Sequence, residues 1–365
     1  MEHSRTSLTA GLGRREFLSI AAATAAIGTI ASSFADDQND PNAKSDKNAA
    51  GPVMLGAGEH RYECMHDWGQ LPKHIVYGIT HGVAVDQKGF VHVLHTSRKE
   101  SPCKDTVVVF DTEGKFVRSW GETFFGSAHG FDLFIEDGQE ILYITDMARG
   151  LYKTTLEGKV IWHIAKPPFY EGKTLKYVPT NVAVAANGDV YFADGYGSYY
   201  IHHYDKNANY IRTFGGPGQD NGATIHPHGL YVDNRGKEPL LVVAENDPNG
   251  RKPGRLHAFN LNCEHHGFLD TPVRSPRHFD RRENLVVIPD LDAVVTLIDE
   301  KNQVVAQLGD GFTTFEKVRA LRAKPRDQFT AGKFVCPHDA AFDRDGSIFI
   351  AEWVDVGRIT KLHKV

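Results

Sequence analysis

Three histidines recur in nearly the same local setting, in SAHGFDLF around His129, HPHGLYVD around His228 and CPHDAAFD around His338. Imidazole is neutral near pH 7 and binds divalent metals through a ring nitrogen. Three such ligands with an open fourth position make the donor set of a catalytic zinc site, where the metal lowers the pKa of a bound oxygen and stabilises a developing alkoxide. These histidines are far apart in the chain, so a fold that gathers distant, equivalent positions has to bring them to one point.

A repeat supplies such a fold. One unit returns six times at a spacing of about 50 residues, each time as short β-rich runs. The first reads HGVAVD from His81, FVHVLHT, TVVVFD and KFVRSWG; the third opens TNVAVAANGDVYFADG at Thr180; the fifth opens RHFDRRENLVVIPD at Arg277. Turn pairs such as Asp137-Gly138, Asn187-Gly188 and Asp345-Gly346 favour tight connections between antiparallel strands. A repeat of this length that cannot bury its apolar face alone must stack on neighbours, which predicts an all-β, six-bladed β-propeller of NHL type. Alternate blades are then threefold related, and His129, His228 and His338 converge on the axis.

Strand direction predicts which other residues share that face. The inner strands open at His81, His129, Thr180, His228, Arg277 and His338, and the loops between second and third strands add Arg98, Arg149, Tyr196 and Asp247. His81, the blade 1 equivalent, is read as a residue behind the ligands or touching substrate rather than a fourth ligand. His202, His203, His265 and His266 are read as surface residues of outer strands. The sixth repeat is short by one strand at Val365, and RYECMHDWG, Arg61 to Gly69, resembles the fourth-strand pattern. An N-terminal strand is therefore expected to complete the last blade and close the ring, hiding two free edges.

Residues 59–365 are thus expected to form one propeller domain. Upstream, Gly13-Arg14-Arg15-Glu16-Phe17-Leu18, an alanine-rich run and Ser33-Phe34-Ala35 read as a twin-arginine export signal over residues 1–35. Residues 36–58 read as a polar, disordered tether. The expected location is the periplasm or the exterior, with no stable membrane insertion and a monomeric state. Lys+Arg 41 against Asp+Glu 46, a net charge of -5 with no basic tract, excludes a nucleic-acid footprint. Cys64, Cys103, Cys263 and Cys336 show no framework spacing and are expected as free thiols, a Cys103–Cys336 bond being the alternative.

Over nearly the whole of Arg61 to Val365 the chain resembles the peptidyl-α-hydroxyglycine α-amidating lyase family, the six-bladed propeller half of the peptide-amidating enzymes. The resemblance rests on YVPTNVAVAANGDVYFADGYGSYYI (Tyr177 to Ile201), HPHGLYVD and CPHDAAFDRDGSIFIAE (Cys336 to Glu352). It implies zinc on His129, His228 and His338, and Tyr196 as the base. It also implies a structural calcium on Asp339 and the backbone carbonyls of Phe131 and Val83. An arginine for a substrate carboxylate falls nearest to Arg98, with Arg277 as second choice. The implied reaction is that of a peptidylamidoglycolate lyase: a carbinolamide C–N bond breaks to give an amide and glyoxylate, from a small-molecule or peptide substrate bearing a carboxylate. Cys336 stands where the family has methionine, Gly197 replaces a disulfide cysteine and Asn181 replaces an aspartate. Two other classes stay open: a non-catalytic NHL-repeat propeller binding a protein or peptide, and a metal-dependent lactonase-like hydrolase, which needs acidic and amide ligands where this axis has histidine.

Overall fold

Val107–Phe110 is apolar at every position and Val294–Ile298 at every position but Thr296, which suits strands covered on both faces. In the computed structural model, which describes residues 51–365 except 219, 248, 250 and 251, such runs are interior strands of antiparallel sheets. The export signal and the tether as far as residue 50 lie outside the described residues. Five blades are four-stranded sheets, spanning 80–120, 128–164, 182–215, 227–269 and 280–308. The sixth is built from Pro337–Phe342, Ile348–Glu352 and Arg358–Lys364, with strands from the N-terminal side added outside them. Outer strands such as Val304–Leu308 alternate between exposed and covered positions, because only one of their faces meets a neighbour.

The core lies between blades. Leu94, Val107 and Val109 of blade 1 pack on Phe131, Leu142 and Ile144 of blade 2, and five comparable apolar layers complete the ring. Tight turns form where Asp-Gly and Asn-Gly pairs predict them. Asp137 and Gly138 both take positive φ, 49° and 78°, the geometry of a two-residue hairpin whose twist matches its strands.

A buried carboxylate ends, or immediately follows, the second strand of blades 2 to 6: Asp146, Asp194, Glu245, Asp290 and Glu352. In four blades it accepts hydrogen bonds from the segment leading into the inner strand. The donors are Ser127 Oγ to Asp146 (2.8 Å), Val178 N to Asp194 (2.6 Å), Arg274 N and Ser275 N to Asp290 (2.7 and 2.8 Å), and Val335 N to Glu352 (2.7 Å). Blade 1 uses His95, whose Nδ1 accepts from Gly78 N and Ser97 N. Burial pushes Asp194 and Asp290 up to about 6, a cost of desolvation that the amide donors oppose. What results is a fixed entry angle for the strand that carries each axial residue.

The ring closes as expected. Tyr62–Met65 pairs with Arg358–Lys364, Tyr62 opposite Lys364 and Met65 opposite Lys361. Tyr62 and Cys64 enter the layer between blades 5 and 6. A further strand, Met54–Leu55, pairs outside it, where the sequence reads as tether; Val53 and Leu55 cover the same layer, which is why the chain turns from polar to apolar there. Between blades 5 and 6, the helix Phe315–Leu321 is capped by Thr314, whose hydroxyl accepts from Lys317 N. Val318 anchors it against Leu291, Phe329 and Cys336. All four cysteines are free. Among the described residues no helix is long and apolar enough to cross a membrane.

Tyr62 alone contributes roughly 1.5–3 kcal/mol of burial, and its strand hides the edge of blade 6. A chain starting at Gln70 should therefore aggregate or melt more than about 5 °C below one starting at Gly51. Calorimetry on the two decides, and equal melting temperatures would remove the closure strand from the account of stability.

Candidate metal centre at the propeller axis

Four inner strands break register at a histidine. The ladder skips from Ala128 to Gly130, from Pro227 to Leu230, from Pro337 to Asp339 and from Thr80 to Gly82. A residue left out of the ladder by a bulge has its side chain re-aimed. Here the re-aimed residues are His129, His228, His338 and His81, all within the channel and 1, 0, 3 and 4% exposed.

The expected trio is then fixed by the backbone of the next blade. His129 Nδ1 donates to the Thr180 carbonyl (2.8 Å), His228 Nδ1 to the Arg277 carbonyl (2.8 Å) and His338 Nδ1 to the His81 carbonyl (2.7 Å). A carbonyl only accepts, so each Nδ1 carries the proton and each Nε2 keeps a lone pair. The glycine after the histidine makes room for this contact. A Cβ at Gly130 would collide with the Thr180 carbonyl oxygen, and one at Gly229 with that of Arg277.

The three Nε2 atoms do not find enough protons. Tyr196 Oη lies 3.1 Å from His129 Nε2 and 2.9 Å from His228 Nε2, yet a phenol has one proton to give; His338 Nε2 is buried with no partner. Each buried acceptor left unpaired costs about 1–3 kcal/mol, which a shared cation would relieve. Ring centroids of the trio are 5.0 Å (129–228), 5.0 Å (129–338) and 4.9 Å (228–338) apart. Imidazoles bound at about 2 Å around a tetrahedral ion stand about 5 Å apart, centroid to centroid, so the spacing fits a metal. Among the described residues, the histidines whose ligand atoms all lie within 4.8 Å of one another are His81, His129 and His338, a set that includes the flanking His81 and leaves out His228. Burial, the neighbouring imidazoles and Arg277 push the trio's pKa values down, that of His129 to about 4. All three are thus neutral at pH 7, the state in which an imidazole can bind a metal.

Positive charge overlooks the trio. Arg277 is buried, with one Nη on Asn246 Oδ1 (3.2 Å) and Nε unpartnered. Arg319 and Arg322, from the helix between blades 5 and 6 and its C-cap, join Arg277 in acting on Tyr196. Burial nevertheless raises the Tyr196 pKa, and the three guanidinium groups only oppose this. Arg98 reaches across to blade 6 and donates to the Asp355 carbonyl (2.6 Å). Sequence reasoning passed over Arg319 and Arg322; their i, i+3 spacing inside the longest insertion was the available signal. It also passed over His226, whose ring lies 5.1 Å from that of Tyr196 and whose Nδ1 meets Asn246 Oδ1. His202 and His203 are buried, against the surface reading: His202 bonds Thr213 and Tyr170, and His203 pairs with Asp189. His266 is exposed as expected.

Asp339, Val83 and Phe131 do lie together in the channel: Asp339 Oδ2 accepts from Val83 N (2.9 Å), and Gly82 abuts both Phe131 and Asp339. His278, however, sets Nδ1 against Asp339 Oδ1 and Nε2 at 3.5 Å from Asp132. Burial opposes protonation of this ring and the two carboxylates favour it, which leaves its pKa raised to about 10. Asp280 adds a third carboxylate to the group, and calcium takes about six to eight oxygen donors.

No family profile matches the chain. It is 27% identical over 261 residues to peptidyl-alpha-hydroxyglycine alpha-amidating lyase 1 of Drosophila melanogaster, a match covering 66% of this chain and 45% of that protein. The chain therefore spans less than half the length of this relative. Among solved structures, the Dos1 propeller aligns with a TM-score of 0.42 at 11% identity, covering 78% of this chain and 68% of that one. The nidogen–laminin complex aligns at 0.46 and 16%, covering 66% and 82%.

His129→Ala, His228→Ala and His338→Ala should each lower the affinity for a divalent metal by at least about tenfold while leaving the β-sheet circular dichroism intact, since the core lies between blades. His266→Ala should bind as wild type. Elemental analysis and chelator competition measure this, and a wild-type protein that takes up no metal would sink the site.

Proposed function

We propose that this protein is a zinc-dependent lyase that cleaves the C–N bond of an α-hydroxyglycine-type carbinolamide, releasing an amide and glyoxylate. The observation that carries the reading is three Nε2 lone pairs and one phenol hydroxyl, converging in a buried cup beside the Arg277 guanidinium, whose side-chain partner is the neutral amide of Asn246. The similarity to the Drosophila lyase supports the same chemistry.

His129, His228 and His338 would hold the zinc, which when bound would supply a Lewis acid that makes the substrate hydroxyl proton easier to remove. Tyr196 is placed to take it, its oxygen touching two of the three ligand nitrogens. Its buried phenol resists ionisation, so it serves as base only under the positive charge that Arg277, Arg319, Arg322 and the metal provide. As the hydroxyl proton leaves, the oxygen's electron pair forms the C=O of glyoxylate, the C–N pair goes to nitrogen, and the proton returns there to give the amide. No oxidant or reductant is needed.

Arg277 is the better-placed partner for the substrate carboxylate, since it is buried on the axis and its guanidinium is only partly satisfied. Arg98, second in this role, holds the rim by its bond to Asp355. Export through the amino-terminal twin-arginine segment would place the activity in the periplasm or outside the cell, in a monomer acting on small or peptide substrates.

Zinc-loaded wild type should release glyoxylate from α-hydroxyhippurate. Tyr196→Phe should keep its zinc and lose about 100-fold or more in kcat, the scale of a positioned acid or base. Arg277→Ala should weaken kcat/KM for carboxylate substrates by about tenfold or more, and less for their neutral amides; Arg98→Ala should do so less. A zinc-replete protein that yields no glyoxylate, or a fully active Tyr196→Phe, would end the lyase reading and leave the metal site standing.

A further inference from the structure

The axial ring alternates two kinds of position. His129, His228 and His338 point a nitrogen inward, while the residues between them, Thr180, Arg277 and His81, lend a backbone carbonyl to orient the histidine of the preceding blade. Two of these intervening side chains are engaged elsewhere. Thr180 Oγ1 donates to the Pro227 and Ala193 carbonyls, and Arg277 binds Asn246. His81 departs from this pattern and shares that of the trio. It sits at a register break of its inner strand, it is buried, and its ring centroid lies 4.9 Å from His129 and 5.1 Å from His338. That is the spacing found within the trio itself. Its Nδ1 has no hydrogen-bond partner, whereas each Nδ1 of the trio is tied to a carbonyl.

We propose that His81 is a fourth metal ligand, which closes the site in the absence of substrate and is displaced when substrate binds. The proposal rests on the metal reading above and extends it. An apolar side chain would fill the same space without orphaning a buried nitrogen, so packing does not account for an imidazole here. The ring contacts of His81 are with His129 and His338 and not with His228, which stands across the cup; with His228 drawn in on binding, four imidazoles would fill a four-coordinate shell and leave no water on the ion. Release falls to His81, because its ring alone can turn away without breaking a bond to a carbonyl. A tethered imidazole competes well against a single oxygen, so the ligand class favoured is one that offers two, an α-hydroxycarboxylate binding through its hydroxyl and one carboxylate oxygen, which leaves the other carboxylate oxygen for Arg277. The exchange breaks one metal–nitrogen bond, forms metal–oxygen bonds and transfers no electrons.

Cobalt(II) in place of zinc reads this directly, because four-coordinate cobalt absorbs strongly in the visible and higher-coordinate cobalt weakly. Wild-type mature chain should show the strong band. His81→Ala should still bind cobalt, with its visible band shifted in position as water takes the place of an imidazole and an affinity lower by at least about tenfold, and free imidazole should restore the wild-type spectrum. Glycolate added to wild type should change the spectrum, and acetate at the same concentration should not. His81→Asn, checked by circular dichroism, replaces the alanine variant if that one aggregates. A His81 variant with the wild-type spectrum and affinity would overturn the fourth ligand while sparing the trio. A wild-type protein that binds neither cobalt nor zinc would overturn the metal reading, and this inference with it.

Discussion

The site depends on one interaction, repeated three times: an imidazole Nδ1–H donated to the carbonyl that opens the next blade. It sets the tautomer, and so decides that three lone pairs rather than three protons face the axis. It dictates the small residue after His129 and His228, where two backbones meet too closely for a side chain. It also joins each ligand to a different blade from the one that carries it. The distance between ligands is therefore a property of the ring and not of any blade. The contact from His338 to His81 crosses the seam between the last blade and the first, so the geometry of the cup requires a closed ring.

A second layer of polar groups makes that geometry repeatable. Buried carboxylates at the ends of second strands hold the entry segments of blades 2, 3, 5 and 6, and His95 does the same for blade 1 with a neutral acceptor. Blade 4 differs, since Glu245 is taken by Arg255 and His257. The charges above the cup are less regular. Arg319 and Arg322 come from an insertion that belongs to no repeat, which makes one wall of the axis strongly positive and leaves the others to imidazole and phenol.

This division explains what could be read from the chain. The six units, the closing strand, the His129–His228–His338 trio and the neighbourhood of Tyr196 were legible, because each is written in a short string that recurs or pairs with an obvious partner. The bulges were not, since a register break depends on the facing strand and leaves no local mark beyond a following glycine. His202 and His203 were misread as surface because their burial comes from Tyr170 and from blade-to-blade packing, not from their own strand pattern. His278 stayed silent for a similar reason: its partners Asp132 and Asp339 lie in other blades. Met54–Leu55 was too short to stand out from the polar stretch before it.

Closure by Tyr62–Met65 also imposes an order on biosynthesis. That strand is made first among the strands of its sheet apart from Met54–Leu55, and its partner Arg358–Lys364 is made last. Until Arg358–Lys364 has been made the early segment has no edge to join, and His338 arrives only with blade 6. Inner blades can stack as they emerge, but the seam and the cup form together only once the strands of blade 6 have been made. The three imidazoles of the cup are therefore gathered by the finished ring and not by the nascent chain, since each is oriented by a carbonyl of another blade.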